Sequence, residues 1–235
     1  MKLLIDIGNT SAKLAVSDNG EFVHFERRSE CWIDAFSRLY REFCFDKIVI
    51  SSVAGPDVEL DAALEALSVP YEWLKWNTPC PVKTLTGIPE GYGADRLAAD
   101  FAAVAQAPEH PLLVIDAGTC ITYDVFSADG TIVGGVISPG VQLRLKAMHD
   151  HTALLPLFEA EPEAEVLAND TKGCLLSGAV NGARFEVIGF IRAVFEHYPD
   201  VHVFLTGGND FPLPADITCP VTHDPYLVLR GLDLL

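Results

Sequence analysis

Short apolar runs separated by small and polar residues form a distinct series at the start of the chain. The first run breaks at an Asp-Ile-Gly-Asn-Thr segment, and the next two runs are separated by Asp18-Asn19-Gly20. An Asn-Gly turn between apolar runs is a strong signal for a β-hairpin, because both of its residues accept a positive φ. The series predicts a three-stranded meander over residues 3–6, 12–17 and 21–25.

A second series with the same order begins about 110 residues later. Its strands are predicted over residues 112–116, 121–126 and 131–136, and an Asp-Gly pair marks its second turn. Each meander is followed by helical patterns and by one near-continuous apolar strand, at 47–53 and at 202–208, as is typical of buried parallel strands. The repeat therefore predicts a duplicated α/β protein.

Apolar residues at helical spacing predict the remaining elements and the boundary between the two halves. Helices are expected over residues 31–43, 57–67, 171–197 and 226–235, and an alanine-rich helix follows residue 91. The proline-containing segment 108–111 is the expected link, which divides the chain into domains 1–110 and 111–235. Two options are open for the last helix, which either stays with the second domain or packs back on the first.

The composition restricts the kinds of partner that the chain can bind. Its 235 residues include 16 basic and 33 acidic ones, so a phosphate backbone would be repelled by the net charge of −17, and no nucleic-acid partner is expected. No uncharged apolar run reaches about 18 residues, and the six cysteines form no CxxC pair. We therefore expect a cytoplasmic protein with reduced thiols and no membrane span.

An aspartate ends the first strand of each meander, Asp6 in one and Asp116 in the other, and a glycine and a threonine follow. Small residues let a ligand approach the backbone N–H groups of such a turn. A carboxylate would repel a phosphate there unless it held a metal ion or a water. One turn of this kind could be only a capped turn. Two in matched positions predict cation-handling carboxylates that face each other across a cleft, with Lys13 within reach of a phosphate oxygen.

A Gly-Ala-Asp-Arg segment opens the alanine-rich helix. An aspartate in the first turn is favourable for the helix dipole, so Asp95 could be a structural residue and Arg96 a surface charge. Alternatively, Asp95 accepts a proton from a hydroxyl group and Arg96 binds a carboxylate, which arginine does through paired hydrogen bonds. The residues alone leave both interpretations open.

The paired turns resemble the phosphate-binding hairpins of the superfamily that includes actin, hexokinase, acetate kinase and the heat-shock ATPases. Five segments, DIGNTSAK, GADRLAAD, DAGTCITYDV, GGVISPG and NDTKGCLLSG, are similar in order and spacing to those of the type III pantothenate kinases. The resemblance implies a duplicated ribonuclease-H-like (actin-like ATPase) fold with two mixed β-sheet halves around a nucleotide cleft. It also implies ATP-dependent phosphorylation of pantothenate to 4′-phosphopantothenate, the first step of coenzyme A biosynthesis.

The resemblance further implies a role for each matching residue. The ATP-binding residues would be Asp6, Ile7, Gly8, Asn9, Thr10, Ser11, Ala12, Lys13 and Thr119. The pantothenate-binding residues would be Gly93, Ala94, Asp95, Arg96, Thr171 and Thr86. Asp95 would be the general base, Asp116 would bind a monovalent cation (K⁺ or NH₄⁺), and Asp6 would hold Mg²⁺ through the phosphates. The glycine pair of the LTGGND segment would lie against the adenosine.

Two of the implied pantothenate contacts have special features. Thr171 would act across the interface of a homodimer, so that each site needs both copies of the chain. Thr86 stands where the family commonly has a tyrosine, seven positions before the glycine of the GxDR motif, and the sequence therefore departs from the family pattern there. Tyr92 is close in sequence and could supply this contact in place of the usual tyrosine, but it could equally be a packing residue.

Two other functions remain open for a chain with these motifs. One is an ATP-binding regulatory or accessory protein of the same fold, and the other is a different small-molecule kinase of the superfamily. The presence of Asp95, Arg96 and Asp116, together with the strongly negative charge, favours the kinase over a regulator that associates with DNA.

Overall fold

The computed structural model describes residues 1–53 and 58–235, and these divide into two compact units. The first unit comprises Met1–Gln106 together with Tyr226–Leu235, and the second comprises Ala107–Pro225. In each unit, helices pack on a mixed β-sheet of five strands.

The described part of the chain up to Gln106 forms the first sheet and its helices. The strands are β1 (Lys2–Ile7), β2 (Ala12–Asp18), β3 (Glu21–Arg28), β4 (Lys47–Ser52) and β5 (Tyr71–Trp73). The helices are α1 (Trp32–Glu42), α2 (Val58–Glu65) and α3 (Ala94–Gln106). The sheet order is β3-β2-β1-β4-β5, in which β1 pairs antiparallel with β2 and parallel with β4.

The rest of the chain repeats this arrangement and then adds a last helix to the first unit. The strands are β6 (Leu112–Ala117), β7 (Cys120–Phe126), β8 (Ile132–Pro139), β9 (His202–Gly207) and β10 (Val221–His223). The helices are α4 (Val141–Asp150), α5 (Thr171–His197) and α6 (Leu227–Asp233). The order β10-β9-β6-β7-β8 gives the second sheet the topology of the first, so the predicted α/β fold with two mixed sheets is confirmed.

Elements at the sheet edges differ most from the sequence-based expectation. Strands β3 and β8 run to Arg28 and Pro139, beyond the predicted ends at residues 25 and 136. Strands β5 and β10 were not predicted, because three residues are too few for an alternating pattern to be recognised, and α4 was missed as well. The helix expected over 57–67 is observed as α2, and residue 57 lies outside the described residues.

The central strand of each sheet is buried on both faces. Leu3, Leu4 and Ile5 of β1 have no exposed surface, and neither have Leu113 and Ile115 of β6. A strand that is covered by helices on both faces requires a continuous apolar run, which is what the sequence has at these places. Polar side chains can therefore gather only where the apolar runs stop, at the carboxyl ends of these strands.

Helix α5 packs on the second sheet through residues spaced four apart. Ala179, Ala183, Val187 and Ile191 form this buried stripe. By length and composition alone this helix of 27 residues is apolar enough to cross a membrane, with a mean hydropathy of 1.3 over an 18-residue window. Half of that window is buried inside the structure, as in the core helix of a globular unit.

The last helix, α6, lies very close to α3. A Cβ atom at Gly231 would stand 1.7 Å from the carbonyl oxygen of Ala98, so the two helix backbones are in direct contact. The Ser17 hydroxyl also donates a 2.8 Å hydrogen bond to Asp233, and the Lys2 ammonium pairs with the same carboxylate at 3.8 Å. These contacts hold α6 in the first unit.

We expect Gly231→Ala to destabilise the protein by about 1–3 kcal/mol, because the added methyl group must push α6 away from α3. Gly134→Ala on β8 is the matched control, since no atom lies within 4 Å of a Cβ there, and its effect should stay within about 0.5 kcal/mol. Unfolding in urea measures both variants. Equal midpoints for the two would contradict the tight contact at Gly231.

Candidate active site

Asp6 lies at the carboxyl end of β1, between polar residues of the two neighbouring strands. The sheet register pairs Asp6 with Lys13 of β2 and with Ser51 of β4, and side chains at paired positions project from the same face. The Lys13 ammonium lies 3.2 Å from Asp6 Oδ2, and the Ser51 hydroxyl donates a 2.9 Å hydrogen bond to Asp6 Oδ1. Asp6 is only 5% exposed, and these two partners offset the cost of burying its charge.

The turn that follows Asp6 is tight and presents its polar residues to solvent. The Gly8 N–H donates to the Ser11 carbonyl at 3.1 Å, and a Cβ at Gly8 would approach the same oxygen to 3.2 Å. The paired residues at the base of the turn are buried: Ile7 and Ala12. The residues at its tip are exposed: Asn9 and Thr10. The tip is therefore accessible to a ligand, while its base is fixed in the sheet.

Asp95 lies in the first turn of α3, and its carboxylate folds back over the start of the helix. Its Oδ1 accepts a 2.8 Å hydrogen bond from the Arg96 N–H. A Cβ at Gly93 would stand 2.7 Å from this oxygen, so the glycine leaves the space that the carboxylate occupies. Ala94 is buried beside it. The start of α3 thus holds a half-buried carboxylate in a defined orientation.

Burial raises the pKa of the Asp95 carboxyl above its usual value, since the charged form loses hydration inside the protein. The hydrogen bond from the Arg96 N–H opposes this rise in the pKa, and the negative charge of Asp6 adds to it. The carboxylates of Asp95 and Asp6 are therefore close enough to repel each other. An aspartate with a raised pKa is a stronger proton acceptor than an ordinary one, as suits a general base.

Arg96 is supported by an aromatic ring. Its guanidinium carbon lies 4.3 Å from the centre of the Tyr92 ring, a favourable cation–π contact. The Tyr92 hydroxyl donates a 2.9 Å hydrogen bond to Asp100, which is fully buried. Tyr92 is therefore buried and packs between Arg96 and Asp100. Thr86 is exposed in the segment that precedes α3.

Thr171 is the first residue of α5 and is exposed to solvent. Asp170 caps this helix, with its Oδ1 accepting the Gly173 N–H at 2.8 Å. The cap fixes the start of the helix and so the place of the Thr171 side chain in the second unit.

Asp116 occupies, in the second unit, the position that Asp6 occupies in the first. The register of β6 pairs it with Thr122 of β7 and with Thr206 of β9. Thr119 is exposed at the turn that follows. The second sheet therefore repeats the hairpin of the first, but with threonines at the positions of the lysine and the serine.

A cavity of about 300 Å³ lies at the carboxyl ends of β9 and β10 and is lined by the LTGGND segment and by residues 223–225. The side-chain amide of Asn209 donates a 2.7 Å hydrogen bond to the Ala117 carbonyl. Gly207 has a φ of +103°, and a Cβ there would stand 2.5 Å from the Ala117 backbone, so only glycine permits this packing. Cavities at the carboxyl ends of parallel strands are the usual ligand sites of α/β proteins.

The residues present fit the two cations that the sequence led us to expect. The described residues contain no cluster of three or more His, Cys, Asp or Glu side chains that could hold a metal ion. Mg²⁺ that binds with a nucleotide needs only one or two carboxylates besides phosphate and water, and the buried Asp6 can supply one. At Asp116, the buried Thr206 hydroxyl has no hydrogen-bond partner among the described residues and is a fitting oxygen donor for a cation.

Sequence reasoning did not identify Ser51 or Thr206 as individual site residues. Each is a polar residue at the carboxyl end of an apolar strand that runs parallel to the central strand of its sheet. Both residues could have been predicted from this position, because adjacent parallel strands end at the same edge of a sheet.

Comparison with known proteins connects these features to one family. The family model of type III pantothenate kinases matches residues 2–193. A type III pantothenate kinase of Bacteroides fragilis is 40% identical over 233 residues, which cover 99% of this chain and 96% of the relative. The type III pantothenate kinase of Porphyromonas gingivalis is 35% identical over 234 residues, with coverage of 98% and 96%.

Solved structures share the fold at low sequence identity. A Campylobacter jejuni protein described as a Baf family transcriptional activator has a TM-score of 0.59 and 24% identity, with 98% of this chain and 95% of that chain covered. An inorganic polyphosphate/ATP-glucomannokinase of Arthrobacter has a TM-score of 0.52 and 17% identity, with coverage of 99% and 97%. These neighbours establish an actin-like ATPase and sugar-kinase fold. The family model and the relatives that span the chain go further: this chain belongs to the type III pantothenate kinase family.

Proposed function

We propose that the protein transfers the γ-phosphoryl group of ATP to pantothenate, in the first step of coenzyme A biosynthesis, with Asp95 as the general base. Membership of the family determines the reaction. The single observation that supports the base is the half-buried Asp95 carboxylate with a raised pKa, close to Asp6 in the same unit. The Asp95 carboxylate is therefore a proton acceptor close to the turn that would bind the phosphates.

Phosphoryl transfer depends mainly on positioning and on electrostatic stabilisation. Asp95 would accept a hydrogen bond from the primary hydroxyl of pantothenate and take its proton as the new P–O bond forms. The Arg96 N–H orients this carboxylate before any substrate binds. The Arg96 guanidinium, supported by the Tyr92 ring, would bind the carboxylate of pantothenate, and Gly93 and Ala94 would line the site around it.

The residues of the first turn, 6–13, would bind the ATP phosphates through backbone N–H groups and the Lys13 ammonium. Lys13 is already held by Asp6, so its charge is in place before ATP binds. Thr119 would be a further contact to ATP. When bound, Mg²⁺ at Asp6 and a monovalent cation at Asp116 would supply positive charge for the phosphates, which a chain with a net charge of −17 otherwise lacks.

The active form would be a homodimer in the cytoplasm, in which Thr171 contacts the pantothenate bound to the partner copy. The second unit exposes large apolar side chains that would suit an association surface. Val133 and Ile137 of β8 are 52% and 62% exposed, and Phe185 of α5 is 53% exposed.

An ATP-binding regulator of the same fold is the alternative. The Campylobacter jejuni neighbour described as a transcriptional activator is only 24% identical, and this likeness concerns the fold alone. The relatives at 35–40% identity are named as kinases, and they favour the enzyme. Purified protein that binds ATP but phosphorylates no pantothenate with any monovalent cation would favour the regulator.

We expect Asp95→Asn to lower kcat by about 10²–10⁴-fold, because asparagine keeps the shape of the side chain but cannot take the proton. The measurement is phosphorylation of pantothenate with Mg-ATP and potassium chloride, together with ATP binding, which the variant should retain. Asp129→Asn removes the same charge from an exposed turn and should keep the wild-type rate. An Asp95→Asn variant with more than about a tenth of the wild-type rate would exclude Asp95 as the base.

The raised pKa of Asp95 also predicts a dependence of stability on pH. The folded protein binds this proton more tightly than the unfolded chain does, so the wild-type protein gains stability as the pH falls through the raised pKa. Asp95→Asn removes the carboxylate that is costly at neutral pH, so it should melt above wild type at pH 7. The difference should shrink as the pH falls and vanish below the ordinary value of 3.8. A variant that melts below wild type at pH 7 would contradict the assigned environment.

Mixing two variants, each expected to lack one residue of the proposed shared site, tests the role of Thr171. If the site combines Asp95 of one copy with Thr171 of the other, then Asp95→Asn and Thr171→Val dimers, mixed and allowed to exchange, should recover about a quarter of the wild-type activity. Half of the dimers are then mixed, and each mixed dimer has one intact site. Mixing Asp95→Asn with Asp95→Glu is the control and should restore nothing beyond the activity of the two variants measured separately. No recovery in the first mixture, with exchange verified by mass, would exclude a shared site.

A further inference from the structure

A row of polar side chains crosses the first sheet beside the turn that follows Asp6. The register pairs Asp6 of β1 with Ser51 of β4 on one side and with Lys13 of β2 on the other. Lys13 is in turn paired with Arg27 of β3. Because side chains at paired positions project from the same face, Arg27 lies on the face of the sheet that carries Asp6. The sequence motif around Asp6 ends at Lys13, so it does not include this arginine.

The Arg27 side chain contacts the turn itself. Its Nε–H donates a 2.8 Å hydrogen bond to the hydroxyl of Ser11, the residue whose carbonyl accepts the Gly8 N–H and closes the turn. Arg27 is exposed, and its two Nη groups donate no hydrogen bond to a described residue. A guanidinium that is held at Nε presents its Nη groups as parallel donors, the geometry that matches two oxygens of one phosphate.

The charge of Arg27 is not offset by a carboxylate. Lys13 lies 3.2 Å from Asp6, so these two residues together carry no net charge. Arg28, the next residue along β3, pairs with Glu26 at 2.7 Å. Arg27 forms no ion pair within the part of the chain that the structure describes. It therefore gives the turn a positive charge in a chain whose net charge is −17, and an anion at the turn would be attracted by it.

We propose that Arg27 is a second cationic ligand of the ATP phosphates, which it binds through its two Nη groups while Ser11 holds its Nε. This inference rests on the proposed function, in which residues 6–13 bind the phosphates, and it adds a residue of the third strand to that site. Lys13 supplies a compact ammonium charge beside Asp6, and Arg27 supplies a planar pair of donors beside Ser11. The positive charge of Arg27 is present before any metal ion binds.

The variant Arg27→Gln tests the proposal by removing the charge from an exposed side chain. We expect its dissociation constant for Mg-ATP, measured by titration calorimetry, to be about 10–100-fold above that of wild type, the usual loss for one hydrogen-bonded contact to a charged group. Arg28→Gln is the matched control, since it removes the same charge from the opposite face of β3, and it should bind Mg-ATP as wild type does. Equal affinities of Arg27→Gln and wild type would overturn the proposal.

The dependence of ATP affinity on salt separates this role from a structural one, in which Arg27 only secures the turn through Ser11. Salt screens a contact between charges, but it has little effect on the shape of a turn. The affinity of Arg27→Gln for ATP should therefore fall less steeply with sodium chloride than that of wild type. Arg27→Lys keeps the charge, Ser11→Ala removes only the contact to the turn, and both should keep the wild-type salt dependence. An Arg27→Gln variant with weakened binding but wild-type salt dependence would show a structural role and overturn the proposal.

The same measurements separate this inference from the proposed function. Wild-type protein whose binding of ATP depends on Arg27, but which phosphorylates no pantothenate, would contradict the proposed function and support the role of Arg27. Wild-type protein that phosphorylates pantothenate, with an ATP affinity that Arg27→Gln leaves unchanged, would overturn the role of Arg27 and leave the kinase intact.

Discussion

The buried carboxylate at the end of the central strand is the constraint on which the active-site architecture depends. A charged group can be buried only when nearby groups replace its lost hydration. Asp6 meets this condition because the register of three adjacent strands brings the Lys13 ammonium and the Ser51 hydroxyl to its two oxygens. A change of register by one residue would separate all three side chains, so the strand pairing that forms the sheet also assembles the surroundings of Asp6.

Asp95 is the other, half-buried carboxylate of the candidate site in the first unit, and its lost hydration is replaced less completely than that of Asp6. Burial, together with repulsion by Asp6, keeps the pKa of the Asp95 carboxyl above the ordinary range, and the hydrogen bond from the Arg96 N–H offsets only part of this rise. Burying this charged carboxylate lowers the stability of the protein at neutral pH, but it also makes the carboxylate bind a proton more strongly. Gly93 and Tyr92 belong to the same arrangement, since one gives the carboxylate its space and the other holds Arg96 beside it.

The duplication of the fold preserved the topology and changed the chemistry. Both sheets end their central strand with an aspartate, but one is flanked by lysine and serine and the other by two threonines. The LTGGND segment has its own cavity in the second unit, at the carboxyl ends of β9 and β10. In a strongly acidic chain, each unit must provide its positive charge locally, from a side chain in one unit and, on our proposal, from a bound cation in the other.

The sequence by itself determined the features that depend on neighbouring residues. The alternating runs and the Asn-Gly and Asp-Gly turns predicted both meanders, and the motifs around Asp6, Asp95 and Asp116 identified the family, because strand patterns, turns and motifs are local. Only the tertiary structure decided which distant residues meet. The hydrogen bond from Ser51 to Asp6, the repulsion between Asp6 and Asp95, and the contact of Gly231 with Ala98 join residues that are far apart in sequence. Such contacts depend on strand order, register and helix packing, which no local pattern specifies.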